Sequence, residues 1–268
     1  MAKIGKIELI NSNPLVVIAG PCAIEEDNVF DIAEKLVEVC SRHSVPFIFK
    51  ASYDKANRQS LESARGCGID KGLEILGAIK EKYGVPVLTD VHSVEEVAKV
   101  AKVVDCIQIP AFLSRQTDLV VAVAKSGRTV NIKKGQFLSP DQMESIVEKA
   151  AKSGAEDIVV TERGASFGYN DLIFDPRSLT IMKEFSPVIF DATHSVQKPG
   201  SGAGISGGDR KFIETLVRAA VAVGIAGLFI ETHPDPANAL SDRETQWPLD
   251  KFEELLLLAT RIDKASKC

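Results

Sequence analysis

Several absences narrow this sequence before any motif does. No apolar run reaches the ~18–20 residues of a membrane span, and the opening MAKIGKIELINSN has no apolar core of signal-peptide length. A membrane protein is therefore not expected. Cysteine is sparse: Cys22, Cys40, Cys67, Cys106 and Cys268 are scattered and odd in number. A chain of 268 residues can bury a core without staples, so these read as thiols in a reducing compartment, the cytoplasm, and not as a disulfide framework. There is no excess of positive charge. Thirty-two Lys and Arg face 37 Asp and Glu, a net of −5, which argues against general nucleic-acid binding. Aromatics make up only 6% of a composition otherwise ordinary for a soluble globular protein. No linker rich in Pro, Gly or Ser and no low-complexity stretch divides the chain, so residues 1–268 read as one domain.

What is present is a regular alternation. Eight short apolar runs recur: LVVIAG (15–20), FIFKAS (47–52), VPVLTD (85–90), CIQIPA (106–111), TVNIKK (129–134), DIVVTE (157–162), PVIFDA (187–192) and GLFIET (227–232). Each is apolar nearly throughout, as a strand covered on both faces must be. Helical patterns lie between them. Ile32, Leu36, Val39 and Cys40 share one face of a helix over 29–42. SVEE reads as a capping box from Ser93 to Glu96, and SPDQ as a helix start with Ser139 as cap and Gln142 reaching back. Gly154 and Gly224 stand where helices should stop, and 250–264 reads as a last amphipathic helix. The pattern predicts a parallel (β/α)₈ barrel, with KIGKIELI as an extra strand or hairpin closing its bottom. An open doubly wound sheet alternates in the same way, and periodicity does not separate the two.

Polar residues gather where these runs end. Lys50, Lys55, Asn57, Arg58 and Ser60 stand at or after the end of the second run, Asp90 and His92 of the third, and Gln108 and Arg115 of the fourth. Lys133 ends the fifth, Arg163 follows the sixth, Asp191 and His194 the seventh, and Glu231 ends the eighth. In a barrel all of these face one mouth, the end where catalysis sits. Lys50, Lys55, Arg58, Arg115, Lys133 and Arg163 converging there need an anionic ligand, and Arg and Lys suit phosphate or carboxylate oxygens. Cys22, His194, Glu231 and Asp242 follow the first, seventh and eighth strands, which adjoin in a closed barrel. Together they form a mixed donor set suited to one divalent ion such as Zn²⁺, Fe²⁺, Mn²⁺ or Co²⁺. A buried thiol and a hydrogen-bonded loop histidine are the plainer alternatives. The Gly- and Ser-rich segment 194–210 lacks a lysine-bearing P-loop pattern and suits a lid that orders over the mouth.

AGPCAIE, KANRQS, IQIPAFLSRQTDL, NIKKGQF, TERGASFGYN, FDATHSVQ and FIETHPDP, in this order, resemble the 3-deoxy-D-manno-octulosonate 8-phosphate synthases from about residue 14 to the last helix. The resemblance implies a (β/α)₈ barrel, usually a homotetramer. It implies condensation of phosphoenolpyruvate with D-arabinose 5-phosphate and water, releasing inorganic phosphate. By motif, Lys55, Lys133 and Arg163 would hold phosphoenolpyruvate, with Lys50 and Ser52 at its edge and Gln108 and Ala111 in the same pocket. Asn57, Arg58 and Ser60 match the pentose-phosphate site, and Arg115 an arginine that reaches a neighbouring subunit. Lys55, Asp90, Lys133 and His194 take the catalytic positions. Metal-free members carry Asn where this chain has Cys22, so Cys22 with His194, Glu231 and Asp242 implies the metal-dependent class. KANR implies the five-carbon aldose and not erythrose 4-phosphate. The nearest competing reading is the seven-carbon sugar-acid synthase that uses erythrose 4-phosphate; a metal-dependent sugar-phosphate aldolase, releasing no phosphate, and a catalytically silent phosphoenolpyruvate- or sugar-phosphate-binding protein are the others.

Overall fold

The structure, a computed structural model, describes residues 1–58, 60–200 and 207–267. All eight apolar runs form strands: β1 (Val16–Gly20), β2 (Phe47–Lys50), β3 (Val87–Asp90), β4 (Cys106–Ile109), β5 (Thr129–Lys133), β6 (Ile158–Glu162), β7 (Val188–Asp191) and β8 (Gly227–His233). Each pairs in parallel with the next. β8 then pairs with β1 from Gly227 opposite Val16 to Glu231 opposite Gly20, so the sheet closes on itself. Closure leaves no edge and rules out the open doubly wound sheet. The intervening helices are α1 (Val29–Arg42), α2 (Ile69–Tyr83), α3 (Val94–Val100), α4 (Thr117–Ala124), α5 (Gln142–Lys152), α6 (Arg177–Met182), α7 (Ile213–Ala222) and α8 (Phe252–Ser266).

Strand side chains alternate between two apolar cores. Val17, Ala19, Phe49, Ile107, Val130 and Ile132 face outward onto the helices, where α1 contributes Ile32, Leu36, Val39 and Cys40. Val16, Ile18, Ile48, Leu88, Cys106, Val159, Ile189 and Phe229 fill the barrel. The inward column changes character along the axis. Above the apolar layer, Thr161 donates to Asn131 Oδ1 (2.7 Å) and Asn131 Nδ2 to Gln108 Oε1 (3.3 Å). At the strand ends the inward positions are Lys50, Asp90, Lys133, Asp191 and Glu231, all buried. The bottom is sealed by an N-terminal hairpin, Ala2–Ile4 paired with Ile7–Leu9, turning at Gly5 with φ +58°. Its Ala2, Ile4 and Leu9 are fully buried against the barrel interior.

The local signals fare unevenly. Gln142 Oε1 does accept from the Ser139 amide (3.1 Å), but α5 starts at Gln142 with Asp141, not Ser139, in the cap position; Gly154 and Gly224 adopt positive φ past α5 and α7. The Ser93–Glu96 box does not form as expected. Ser93 caps α3 without a side-chain hydrogen bond, and Glu96 accepts from the His92 amide and the Tyr53 hydroxyl instead. Within the proposed lid, Gln197–Lys198 pairs antiparallel with Gly207–Gly208; residues 201–206 between them, and Cys268, lie outside the described residues. No described helix is long and apolar enough to cross a membrane.

Candidate active site

The strand ends open into a cavity of about 670 Å³, within the range of small-molecule sites. Beneath two of its lining lysines the Phe229 ring of β8 is buried in the barrel core. Lys133 Nζ sits 3.9 Å and Lys50 Nζ 5.5 Å from the ring centroid, so the aromatic face supports two ammonium groups. Each ammonium also has a buried carboxylate: Lys50 Nζ lies 2.5 Å from Glu231 Oε1, and Lys133 donates to Asp191 Oδ2. Burial alone would raise the Asp191 carboxyl. His194 and Lys133 outweigh it and hold the group well below the usual range. Close approach of β1 and β2 requires Gly20, since a Cβ there would lie 1.9 Å from the Lys50 carbonyl oxygen.

On the β8–β1 wall, ligand atoms of Cys22, Glu231 and Asp242 all lie within 4.8 Å of one another. His194 Nε2 adds to them, 3.7 Å from Glu231 Oε2 and 3.6 Å from Asp242 Oδ2, while its Nδ1 rests 2.8 Å from Asp191 Oδ2. Three of the four residues expected to share an ion thus form one close group, and His194 borders it beside Glu231 and Asp242. Glu231 Oε2 is buried and has no hydrogen-bond partner. The Cys22 thiol is pushed well up by burial and then by the charges of Asp242 and Glu231. Two residues that sequence reasoning missed order this wall. Gln246 Oε1 accepts from the Cys22 amide (3.1 Å) while its Nε2 donates to the Ser241 carbonyl (2.8 Å). Gln197 donates to Asp242 Oδ2 (3.2 Å) and accepts from Arg163 Nη2 (2.5 Å). A neutral amide carries no charge signal; only the position of Gln197 inside FDATHSVQ marked it.

Lys55, Lys133, Arg163, Gln108 and Ala111 line the same cavity. Arg163 is buried with Nη1 unpartnered, an unsatisfied donor on a residue that lines the cavity. Lys55 Nζ donates to Ser52 Oγ (3.1 Å), and Ser52 Oγ to Asp90 Oδ1 (2.5 Å). Burial would lower Lys55, but Cys22, Glu231 and Asp90 more than offset it and keep the ammonium charged. At the rim stand Asn57, Arg58 and Arg243. Arg58 Nη1 donates to Ser241 Oγ (2.8 Å) and Nη2 to the Leu240 carbonyl (3.4 Å), tying the loop after β2 to the loop carrying Asp242. Arg243 was not foreseen; its segment has no periodic pattern. Two candidates stand apart from this lining. Arg115 does not converge on this mouth: it is exposed between a 3₁₀ turn and α4 and does not line the cavity. Ser60 also lies outside the lining, its hydroxyl accepting from the Glu62 amide (3.2 Å).

Residues 3–267 match the model of the DAHP synthetase I family. The chain is 58% identical over 258 residues (95% of its length, 92% of the relative) to the 2-dehydro-3-deoxyphosphooctonate aldolase of Aromatoleum aromaticum. It is 57% identical, with the same coverage, to the protein of that name from an Azoarcus species. To that of Brucella ovis it is 53% identical over 267 residues, 99% of the chain and 96% of the relative. The closed barrel, the polar cup at its strand ends and a match spanning nearly every residue agree: the chain belongs to the DAHP synthetase I family.

Proposed function

We propose that this protein is a 3-deoxy-D-manno-octulosonate 8-phosphate synthase. It is a transferase that joins phosphoenolpyruvate to D-arabinose 5-phosphate with water and releases inorganic phosphate, on the route to the Kdo sugar of lipopolysaccharide. One observation carries the reading: a single cup presents two cationic ends, Lys55, Lys133 and Arg163 at its base and Arg58 with Arg243 at its rim. Two phosphorylated partners held at those ends would meet between them, and such proximity is a large part of the acceleration a condensation needs. Phosphoenolpyruvate is already an enol ether, so no lysine need form a Schiff base.

Charge supports a divalent ion in the site. Among the described lining residues, six cations (Lys50, Lys55, Arg58, Lys133, Arg163, Arg243) face four carboxylates (Glu62, Asp90, Glu231, Asp242), a surplus of two. Two phosphomonoesters bring about −3 to −4 and phosphoenolpyruvate one carboxylate more. Cys22, His194, Glu231 and Asp242 would hold the ion, and the unpartnered Glu231 Oε2 fits that role. Bound there, the ion supplies Lewis acidity to an adding water or to the aldehyde oxygen. Lys133 and Arg163 bind the phosphoenolpyruvate anion, Lys55 bridges it towards Asp90, and Asp191 holds His194 in place. The buried thiols suit a reducing cytoplasm. The assembly is a homotetramer in which Arg115 serves a neighbouring cup.

The test is phosphate release from phosphoenolpyruvate with each aldose, with and without chelator. Release with arabinose 5-phosphate, little with erythrose 4-phosphate, loss on chelation and recovery with divalent ion are expected. No phosphate with either aldose overturns the reaction, and full activity after chelation overturns the metal. Cys22→Asn is expected to retain activity in chelator.

A further inference from the structure

Beside Asp90, in the cup wall that His92 also lines, runs a set of polar side chains that the substrate and ion contacts described above do not include. Asp90 Oδ2 lies 3.0 Å from His92 Nε2. On the far side of the ring, Nδ1 is sealed from solvent without a hydrogen bond, and Glu96 Oε2 lies 3.5 Å away. That oxygen also accepts from the Tyr53 hydroxyl and the His92 amide, each at 2.7 Å. Tyr53 meets the imidazole edge-on, ring centroids 5.8 Å apart, and limits its rotation. The Glu96 side chain is 24% exposed and opens to solvent. Glu96 gives up the cap of α3 for this position, which a purely helical role would not require.

We propose that His92 is a positioning and proton-relay residue of the condensation, aiming Asp90 into the cup and passing a proton between that carboxylate and Glu96 at the surface. The proposal rests on the reaction assigned above. In that reaction the enol ether's electron pair forms the new C–C bond, the water oxygen bonds to C2, and phosphate leaves with the C2–O pair. The two protons of the water end on the new hydroxyl and on the departing phosphate. The first is lost at C2 and needed at the former aldehyde oxygen, so a carrier on the cup wall must hold it in between. Asp90 and His92 together can hold one proton. The groups facing the imidazole are Asp90 from β3, Glu96 from α3, and Tyr53 and Asp54 from the segment after β2, with Lys50 and Lys55 beyond Asp90. Burial lowers the basicity of His92, but Asp90, Glu96 and Asp54 reverse this and favour the imidazolium.

His92→Gln keeps a donor for Asp90 but cannot carry a proton. It is expected to lower kcat about 10²-fold or more, as lost general acid–base catalysis does, with the KM for phosphoenolpyruvate nearly unchanged. Added imidazole should partly restore His92→Ala, and Glu96→Gln should shift the pH profile of kcat. A His92→Gln enzyme with the wild-type rate and pH profile, or a His92→Ala enzyme rescued by Gln but not by imidazole, overturns the relay. A measurement without substrate separates this from failure of the reaction assignment. The chain has four histidines, so nitrogen NMR can follow each ring. His92 should titrate above an ordinary imidazole, and at lower pH in Glu96→Gln. An imidazole that does not titrate there, or that ignores Glu96, overturns the relay whichever aldose the enzyme uses. Normal His92 titration in a protein that releases no phosphate faults the reaction assignment alone.

Discussion

Arg58 shows how one side chain can divide a cup. Its guanidinium spans from the loop after β2 to Ser241 and Leu240 beside Asp242, and Arg58 lines the cup. A charge-assisted hydrogen bond of this kind contributes about 1.5–3 kcal/mol, or roughly 10–100-fold in affinity. Arg58→Ala should therefore raise the KM for arabinose 5-phosphate roughly 10–100-fold and leave that for phosphoenolpyruvate close to wild type in steady-state assays. Equal losses for both would contradict the two-ended site. At this scale the charged residues were legible, because an ion at the end of a buried strand has few structural uses. The residues that hold them were not. Gln197 and Gln246 act through neutral amides, and Ser241 and Arg243 lie where no period announces a side-chain direction. His92 could be seen, but its link to Glu96 depends on how α3 enters, and the capping signature pointed Glu96 elsewhere.

The elements were legible where burial imposes a pattern. Strands covered on both faces read as continuous apolar runs, and every run became a barrel strand. Two-residue ladders such as Ala165–Ser166 with Leu172–Ile173 carry no period and went unseen. The N-terminal hairpin was foreseen as a bottom closure, and its packing makes that a quantitative claim. Ile4 is fully buried in the layer that also holds Ile18 and Ile48. Ile4→Ala leaves a cavity there and should cost about 2–5 kcal/mol, lowering the thermal midpoint by roughly 2–4 °C for each kcal/mol. The cup stands at the opposite end of the barrel, so kcat/KM should be unchanged. Activity falling in step with stability would mean that the hairpin also positions the strand ends.

For the whole molecule, closure explains why residues some 220 positions apart, Cys22 and Asp242, lie with Sγ and Oδ2 3.3 Å apart. Closure within one chain does not explain Arg115. It is exposed outside its own cup; on the loops after β4, β5 and β6, Phe112 at the cup wall and Phe137 and Phe167 are 56%, 57% and 64% exposed. These loops touch. The Ser166 amide donates to the Gln136 carbonyl (2.9 Å), and a Cβ on Gly135 would lie 3.2 Å from the Ala111 carbonyl oxygen. Exposed aromatics on touching loops suit a self-association surface, and a homotetramer would bring Arg115 to a neighbour. Two defective variants test this together. Arg115→Ala lacks the donated arginine but keeps a complete cup of its own, whereas Arg163→Ala has a broken cup but can still donate. Each should be weakly active alone, and co-expression should restore activity in mixed oligomers, because cups of the first kind then receive Arg115 from the second. Sedimentation should give about four chain masses. If mixing adds nothing to the sum of the separate activities, Arg115 serves no neighbour and the cup is complete within one chain.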